Sequence, residues 1–498
     1  MRHSKAILFL LFSFILGAMF SCRKDDSFFE GNAKYRMSTD TLLFDTVFTS
    51  IGSATRYVKV YNDEEQPILV NISLSNGSNS FFRLNADGFT GEKLNAVEIQ
   101  AKDSIYIFVE VTINPDNPLS ISPFVVEEFL IVKSAESEIK TLLMAFGQNA
   151  NYIPKANEKG LISSLCSDFN TVTWNDPKPY VIYGILVIDS CQLVLPPGTN
   201  VYVHGGIVVK PDFIYNEGQI IVLEHGTLIA QGTIERPVKI EGDRLESEYN
   251  DEPGQWVGLR LLEGSKNNVL DHIIIRNSVV GIQVDSACEL KISNSIIENT
   301  VSSGIYAKHG KVYGENLLIH SNGGNALSLI YGGDYEFNYS TLASYTDKNE
   351  AVVVTNFNCI DPPFCTQTLY NPVALRMTNC IISGGSEDEL FFGDIRKKEN
   401  DPASFVYEMQ NCIVRVDSLI NANNYPNFFD HCKDCINLKR TDFNELNELF
   451  FNKDENIYTL DTMSVARMKG KHLPNITMDI LGKPRKSMLS DLGCYEFD

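Results

Sequence analysis

The chain has 498 residues, 44% of them hydrophobic, and a formal charge of −21. That is enough apolar material for packed cores, and at roughly 150 residues per domain the length allows several domains. A surface this acidic repels phosphate backbones, which argues against nucleic acid as a partner and leaves cation binding open. At the start, Arg2, His3 and Lys5 precede an almost wholly apolar run from Ala6 to Phe20. The run is shorter than the roughly 20 residues a bilayer core requires, so it reads as the apolar region of a secretory signal. Ser21 is a small residue at the cut, and Cys22 follows it. Cleavage there removes Arg2 and Lys5 and no acid. The cysteine is either incidental to an ordinary cleaved signal or the point of attachment.

The junction "MFSC" resembles a bacterial lipobox, and Lys24-Asp25-Asp26 resembles the surface-export signal of Bacteroidetes lipoproteins. The resemblance implies acylation at Cys22 and transfer to the exterior face of the outer membrane. A polar tether, residues 22–36, would follow the signal peptide of 1–21.

From about 37 to 150 the chain is strand-rich. "YVKVYN", "ILVNISLS", "SIYIFVEVTI", "EEFLIVKS" and "KTLLMAFG" are β-branched, aromatic and partly alternating, and turn residues separate them. Short strands at this spacing predict a β-sandwich. The order "DTVFTSIGSATRYVKVYN" then "FFRLNADGF" resembles the Ig-like modules of bacterial surface and cilia-associated proteins. Residues 151–179 read as a connector.

Beyond 180 one six-residue frame recurs: "LDHIII" at 270, "ISNSII" at 292, "YGENLL" at 313, "FNYSTL" at 337, "MTNCII" at 377 and "MQNCIV" at 409. A spacing near 22 is too short for helical-hairpin repeats and suits one coil of a parallel β-helix. Alternation puts frame positions 1 and 5 in the core. Position 3 is mostly polar (His272, Asn294, Glu315, Asn379, Asn411), fit for stacking between coils or for a left-handed corner. That structural role is the preferred account of His272 over a catalytic one.

"LVLPPGTNVYV", "GTLIAQGTIERPVKI" and "GQWVGLRLLEGSKNNVLDHIII" resemble the coils of right-handed parallel β-helix proteins, with Gly226, Gly232 and Gly258 at tight corners and Pro237 opening a strand. The tail "DILGKPRKSMLSDLGCYEFD" resembles the segment that closes the last coil in secreted members. Together these resemble a family of Bacteroidetes β-helix surface lipoproteins, within the pectate-lyase-like superfamily. The expected architecture is all-β: an Ig-like sandwich, then a right-handed parallel β-helix over 180–440, then coils and a cap over 441–498.

Many β-helices are polysaccharide lyases or hydrolases. Glycoside hydrolysis needs two carboxylates roughly 5 to 9.5 Å apart. The one Asp-Asp pair, Asp25-Asp26, lies in the tether. The acidic segment with Asp243, Arg244, Glu246, Glu248 and Asp251 reads as an inter-coil loop, with a calcium or ligand site as the competing account. Arg276, Glu298 and His320 fall in one outward column, and an ion pair between coils is the plain account. Arg236, Lys239, Arg244 and Arg260 are the candidates for a basic patch. Of the 11 cysteines, Cys359 and Cys365 could close a small loop. Cys432 and Cys435 lack the further ligands a zinc site needs. Cys380 and Cys412 share a place in the frame. No metal site or cofactor is expected beyond the open calcium question.

The preferred functional reading is a surface lipoprotein with a non-catalytic role, displaying a β-helix to glycans or protein partners. The alternatives are a carbohydrate-active lyase or hydrolase using a β-helix groove, or a subunit of a larger outer-membrane assembly.

Overall fold

The computed structural model describes residues 27–48, 55–112, 124–154, 160–166, 168–210, 213–246, 249–346, 348–396, 401, 403–421 and 425–497. Cys22, Lys24, Asp25, Asp26 and Glu248 lie outside them. The chain divides into two compact units between Asn149 and Ala150.

The first unit is a β-sandwich of two five-stranded sheets. Its front sheet contains Tyr35–Met37, Arg56–Asn62, Ser104–Val111, Phe82–Ala86 and Phe89–Gly91, in that spatial order. The alternation in "RYVKVYN" sends Val58 and Val60 inward and Tyr57, Lys59 and Tyr61 outward. The back sheet contributes Val70, Ile72, Leu130, Val132, Leu143 and Ala145 to the same core. Each such Val, Leu or Ile side chain stabilises the fold by roughly 1.5–3 kcal/mol. The tether expected to run to residue 36 is already structured before that point. Ala33 and Tyr35 are buried, and the Tyr35 hydroxyl donates to the Ser137 carbonyl at 2.7 Å.

The second unit is a parallel β-helix with three long sheets of eleven, nine and ten strands, here sheets I, II and III. One coil runs Asn268–Asp271 in sheet III, Ile273–Arg276 in sheet I and Ile282–Val284 in sheet II, and Glu289–Ser293 starts the next coil in sheet III. Residues 151–173, read as a connector, carry the first strand of each sheet. "FNTVT" and "LISS" lack apolar alternation: Ile162 is exposed, and Val172 is only partly buried against the core. The Cys166–Cys191 disulfide and the stacked rings of Trp174 and Tyr180, 4.2 Å apart, close that end. Phe392, Tyr407, Tyr425 and Phe428 fill the core at the other end.

Frame position 3 is the corner between sheets III and I. His272, Asn294, Tyr339, Asn379 and Asn411 all have φ between 48° and 58°. Asn tolerates this conformation because its short polar side chain bonds locally. The pairing Ile292↔Gly314↔Phe337 shows that the frame placed at Tyr313 begins at Gly314, so Asn316 (φ 51°) and not Glu315 takes the corner. The corner also resets the alternation. After it, positions 4 and 6 point inward (Ile273 and Ile275, Cys380 and Ile382), and position 5 points out of the β-helix. Position 5 is therefore not in the main core as expected. Ile381 and Ile413 instead join Leu318, Leu449, Tyr458, Ile480, Leu492 and Cys494 in a separate cluster.

That cluster exists because the tail does not close the last coil. Residues 449–497 add no strand to the three sheets; they lie back along the corner and the outside of sheet I. The corner side chains hold them. Asn379 exchanges two hydrogen bonds with the backbone of Lys471, Asn411 donates to Lys469, and Asn316 donates to Met478.

Two glycines of the quoted motifs are sterically required. Gly258 has φ +136°, and a Cβ there would sit 2.0 Å from the Val280 carbonyl. A Cβ at Gly232 would sit 2.3 Å from the His272 carbonyl.

Cys359–Cys365 and Cys432–Cys435 are disulfides. Cys380 and Cys412 occupy the same place on neighbouring coils, and they are unbonded and buried, as are Cys288 and Cys494. Burial pushes the Cys288 thiol up to about 11. Iodoacetamide should therefore modify none of these four in the native protein and all four after unfolding in guanidinium, read by mass spectrometry. Native-state labelling of Cys380 or Cys412 would contradict the coil register.

Candidate functional site

Two outer faces of the β-helix carry ordered charge. On sheet I, Arg276, Glu298 and His320 stand in register on successive coils. Arg276 donates to Glu241 on the coil before, and His320 Nε2 meets Glu298 at 3.0 Å. Burial alone would raise the Glu298 carboxyl. The hydrogen bond from His320, with the charges of His320 and Arg276, outweighs that and holds it below the ordinary range. The ladder is covered: Glu241 and His320 are buried, and the Tyr458 ring of the tail lies 4.9 Å from His320. This exceeds the surface ion pair expected, and it is a structural seam.

The acidic loop meets the same sheet. Asp243 binds His204 Nδ1 at 2.8 Å, and Arg244 pairs with Glu246 at 3.1 Å while lying 3.9 Å over the Tyr249 ring. Asn299 reaches Asp251 at 3.5 Å. The structure thus brings Arg244 and Glu246 together and engages Asp243 and Asp251 with other partners. His272 lies in its corner, with Nδ1 3.1 Å from Asp271. No basic patch forms from the four candidate cations: Lys239 is on sheet I, Arg260 bonds Gln219 and Gln283 on sheet II, and Arg236 bonds the Pro197 carbonyl. Among the described residues no cluster of three or more His, Cys, Asp or Glu could hold a metal ion.

The open face is sheet III. Lys291, Tyr313, Glu336, Arg376 and Glu408 form one column over five coils. Glu289, Lys311 and Asp334 start a second column, and Ser293, Glu315, Asn338 and Thr378 belong to a third. Lys291 lies 5.6 Å over the Tyr313 ring, and the Tyr313 hydroxyl donates to Glu315 at 2.5 Å. Arg376 bridges two acids, pairing with Asp334 and meeting Glu336 at 3.5 Å; the bond to Asp334 holds its guanidinium above the usual value. Two depressions flank the face. One of about 510 Å³ is lined by Glu289, His309, Lys311 and Asp334; one of about 380 Å³ is lined by Glu336, Arg376, Glu408, Asp430 and His431. Sequence reasoning missed this face. Its signal was the alternation of charged with buried residues in "EMQ", "LRMT" and "YEFN".

A family model described as the right-handed beta helix region matches residues 170–342. The β-helix is right-handed. A comparison with curated proteins gives no match. Solved structures with local likeness include a family 123 glycoside hydrolase from Clostridium perfringens, 9% identical over 23% of this chain and 25% of that one, with a TM-score of 0.17. A protein of unknown function from Porphyromonas gingivalis W83 is 15% identical over 28% of this chain and 58% of that one, with a TM-score of 0.18. The catalytic unit of a GH87 alpha-1,3-glucanase from Streptomyces thermodiastaticus is 10% identical over 72% and 73%, with a TM-score of 0.27. The chain spans about a quarter of the first of these and just over half of the second. Scores this low carry no argument about activity.

Proposed function

We propose that this chain is a surface-displayed binding protein, held to the outer membrane by lipid on Cys22, with the outer face of sheet III as its contact surface for glycans or surface proteins. The observation that carries the reading is the pattern on that face. Its central guanidinium, Arg376, is clamped between Asp334 and Glu336, and its aromatic ring, Tyr313, lies between Lys291 and Glu315. Such a surface offers stacking and hydrogen bonds along successive coils without assigning any acid the separate environments that a general acid and a general base require.

A second reading, a glycan-cleaving enzyme, has one specific observation behind it. Glu336 and Glu408 stand in one column on either side of Arg376 in the smaller depression, beside Asp430 and His431. A glycan array combined with reducing-end and unsaturated-uronate assays, with and without calcium, separates the two. Binding without product, weakened by Tyr313→Ala and by Arg376→Ala, is expected. Product release that Glu408→Gln abolishes would establish the enzyme instead. Anchoring is tested separately: Cys22→Ala should release the protein from the membrane fraction, and retention at unchanged mass would sink the lipoprotein reading.

A further inference from the structure

We infer that the N-terminal sandwich carries a binding site of its own, on the outer face of its front sheet, for the pyranose rings of a neutral polysaccharide. Outward positions on a solvated sheet are ordinarily polar. Here Tyr57, Tyr106 and Phe108 stand side by side at them, 52%, 42% and 41% exposed. Tyr57 is directly opposite Phe108, and Lys59 is opposite Tyr106. The rings of Tyr106 and Phe108 are stacked and nearly parallel, 12° apart with centroids at 5.9 Å, and Tyr57 packs edge-on to Tyr106 at 5.1 Å. Cross-strand pairing alone gives such rings a stabilising role of at most about 1 kcal/mol a pair. It does not account for what adjoins them.

Phe108 is also the wall of a depression of about 580 Å³, whose other sides include Arg83, Asn85, Thr90, Glu92 and Glu110. Asn85 pairs with Phe108 and Arg83 with Glu110 across the neighbouring strand. A row of exposed aromatic rings thus runs into a cleft with both donors and acceptors. A sugar ring presents the matching chemistry: an apolar C–H face for the rings and a rim of hydroxyls for amide, hydroxyl and carboxylate groups.

The charge on this face selects a neutral ligand. Its cations are engaged: Arg36 with Asp63 at 3.5 Å, Lys59 over the Tyr106 ring at 4.4 Å, and Arg83 with the carbonyls of Ser80 and Phe82. Glu92 and Glu110 at the cleft oppose an anionic polymer.

The site is independent of the sheet III reading, and different variants test each. Native affinity electrophoresis of the full mature chain through gels containing dextran, glycogen, laminarin or mannan, with polygalacturonate as the anionic polymer, reads binding directly. At least one neutral polymer should retard the protein. Tyr106→Ala and Phe108→Ala should each weaken that roughly tenfold, Asn85→Ala should weaken it less, and Tyr106→Phe should keep it. Circular dichroism checks the fold of each variant, and these exposed positions are replaceable without unfolding. Retardation by polygalacturonate alone, by no polymer, or by a neutral polymer with no loss in the Tyr106 and Phe108 variants overturns the proposal. So does self-association that those two variants abolish, which would make the face a protein interface.

Discussion

Replacing Arg485 by Met should release residues 449–497 from the β-helix while leaving its sheets intact. The Arg485 side chain is fully buried. It donates to Asn316 Oδ1 at 2.7 Å and to the Gly493 carbonyl at 3.1 Å, lies 3.6 Å over the Tyr339 ring, and has Glu496 at 3.5 Å. Burial pushes its guanidinium below the usual value, with Tyr339, Glu496 and Asp479 opposing. Removing one partner of a buried pair costs about 3–5 kcal/mol, because the other charge is stranded. Glu496 would keep only Lys486 and two backbone amides, and Asn316 Oδ1 would lose its donor. Lys should not restore docking, since an ammonium cannot reproduce the planar fork or the stacking on Tyr339. Hydrogen exchange with limited proteolysis reads this directly: protection lost in 449–497 and kept in strands such as Ile273–Arg276 and Ile296–Thr300. Unchanged protection of the tail in Arg485→Met would show that the apolar cluster alone holds it.

The second large effect concerns pH. Glu389 is completely buried, accepts from the Ser386 and Ala351 amides, and faces Arg415 at 3.3 Å. Arg415 in turn donates to the carbonyls of Leu438, Gly384 and Ser386. Burial lifts the Glu389 carboxyl from 4.5 to about 7, with Arg415 pulling the other way. The folded-state value lies above the unfolded one, so between them the native state binds more protons than the unfolded chain. Stability from this group is present below about 4.5 and is lost as pH rises towards about 7. Thermal unfolding at pH 5 and pH 8 should show the wild type several degrees less stable at the higher pH, and Glu389→Gln should flatten that difference. Arg415→Met should destabilise at pH 5 through the lost carbonyl bonds, and more at pH 8, where the charge partner of Glu389 is lost as well. A pH profile identical in the wild type and Glu389→Gln would refute the assignment.

The coil repeat was legible because one backbone conformation imposes one residue type: Asn at 294, 379 and 411 marks the left-handed corner on its own. The frame slipped at 313 because Tyr313 offered a large residue where the true first position, Gly314, leaves room for the Phe337 ring, 2.6 Å from where a Cβ would be. The assignment of position 5 to the core failed for a related reason. Strict alternation does not survive a corner, and an apolar residue such as Ile381 reads the same whether it meets the core or a docked tail. The tail's path depends on contacts between residues more than 50 positions apart, such as Asn379 with Lys471 and Asn411 with Lys469, and no local pattern encodes those. On the site side, the acidic loop was visible as composition, but composition does not show that Asp243 belongs to His204 and Arg244 to Glu246. The sheet III face was hidden because its outward residues alternate in sign instead of clustering.

The backward path of the tail sets an order of events during synthesis. Within the β-helix each coil contacts its neighbours, so coils can form in sequence as the chain emerges, at little loop-closure cost. The bonds from Arg485 to Asn316 and from Tyr339 to Ser490 close loops of 169 and 151 residues. Until residues 449–497 are made, the position-5 side chains Leu318, Ile381 and Ile413 face solvent as an apolar stripe on an otherwise finished solenoid. A chain that stops before residue 449 presents the kind of exposed apolar surface that chaperones and proteases recognise, and docking of 449–497 conceals it.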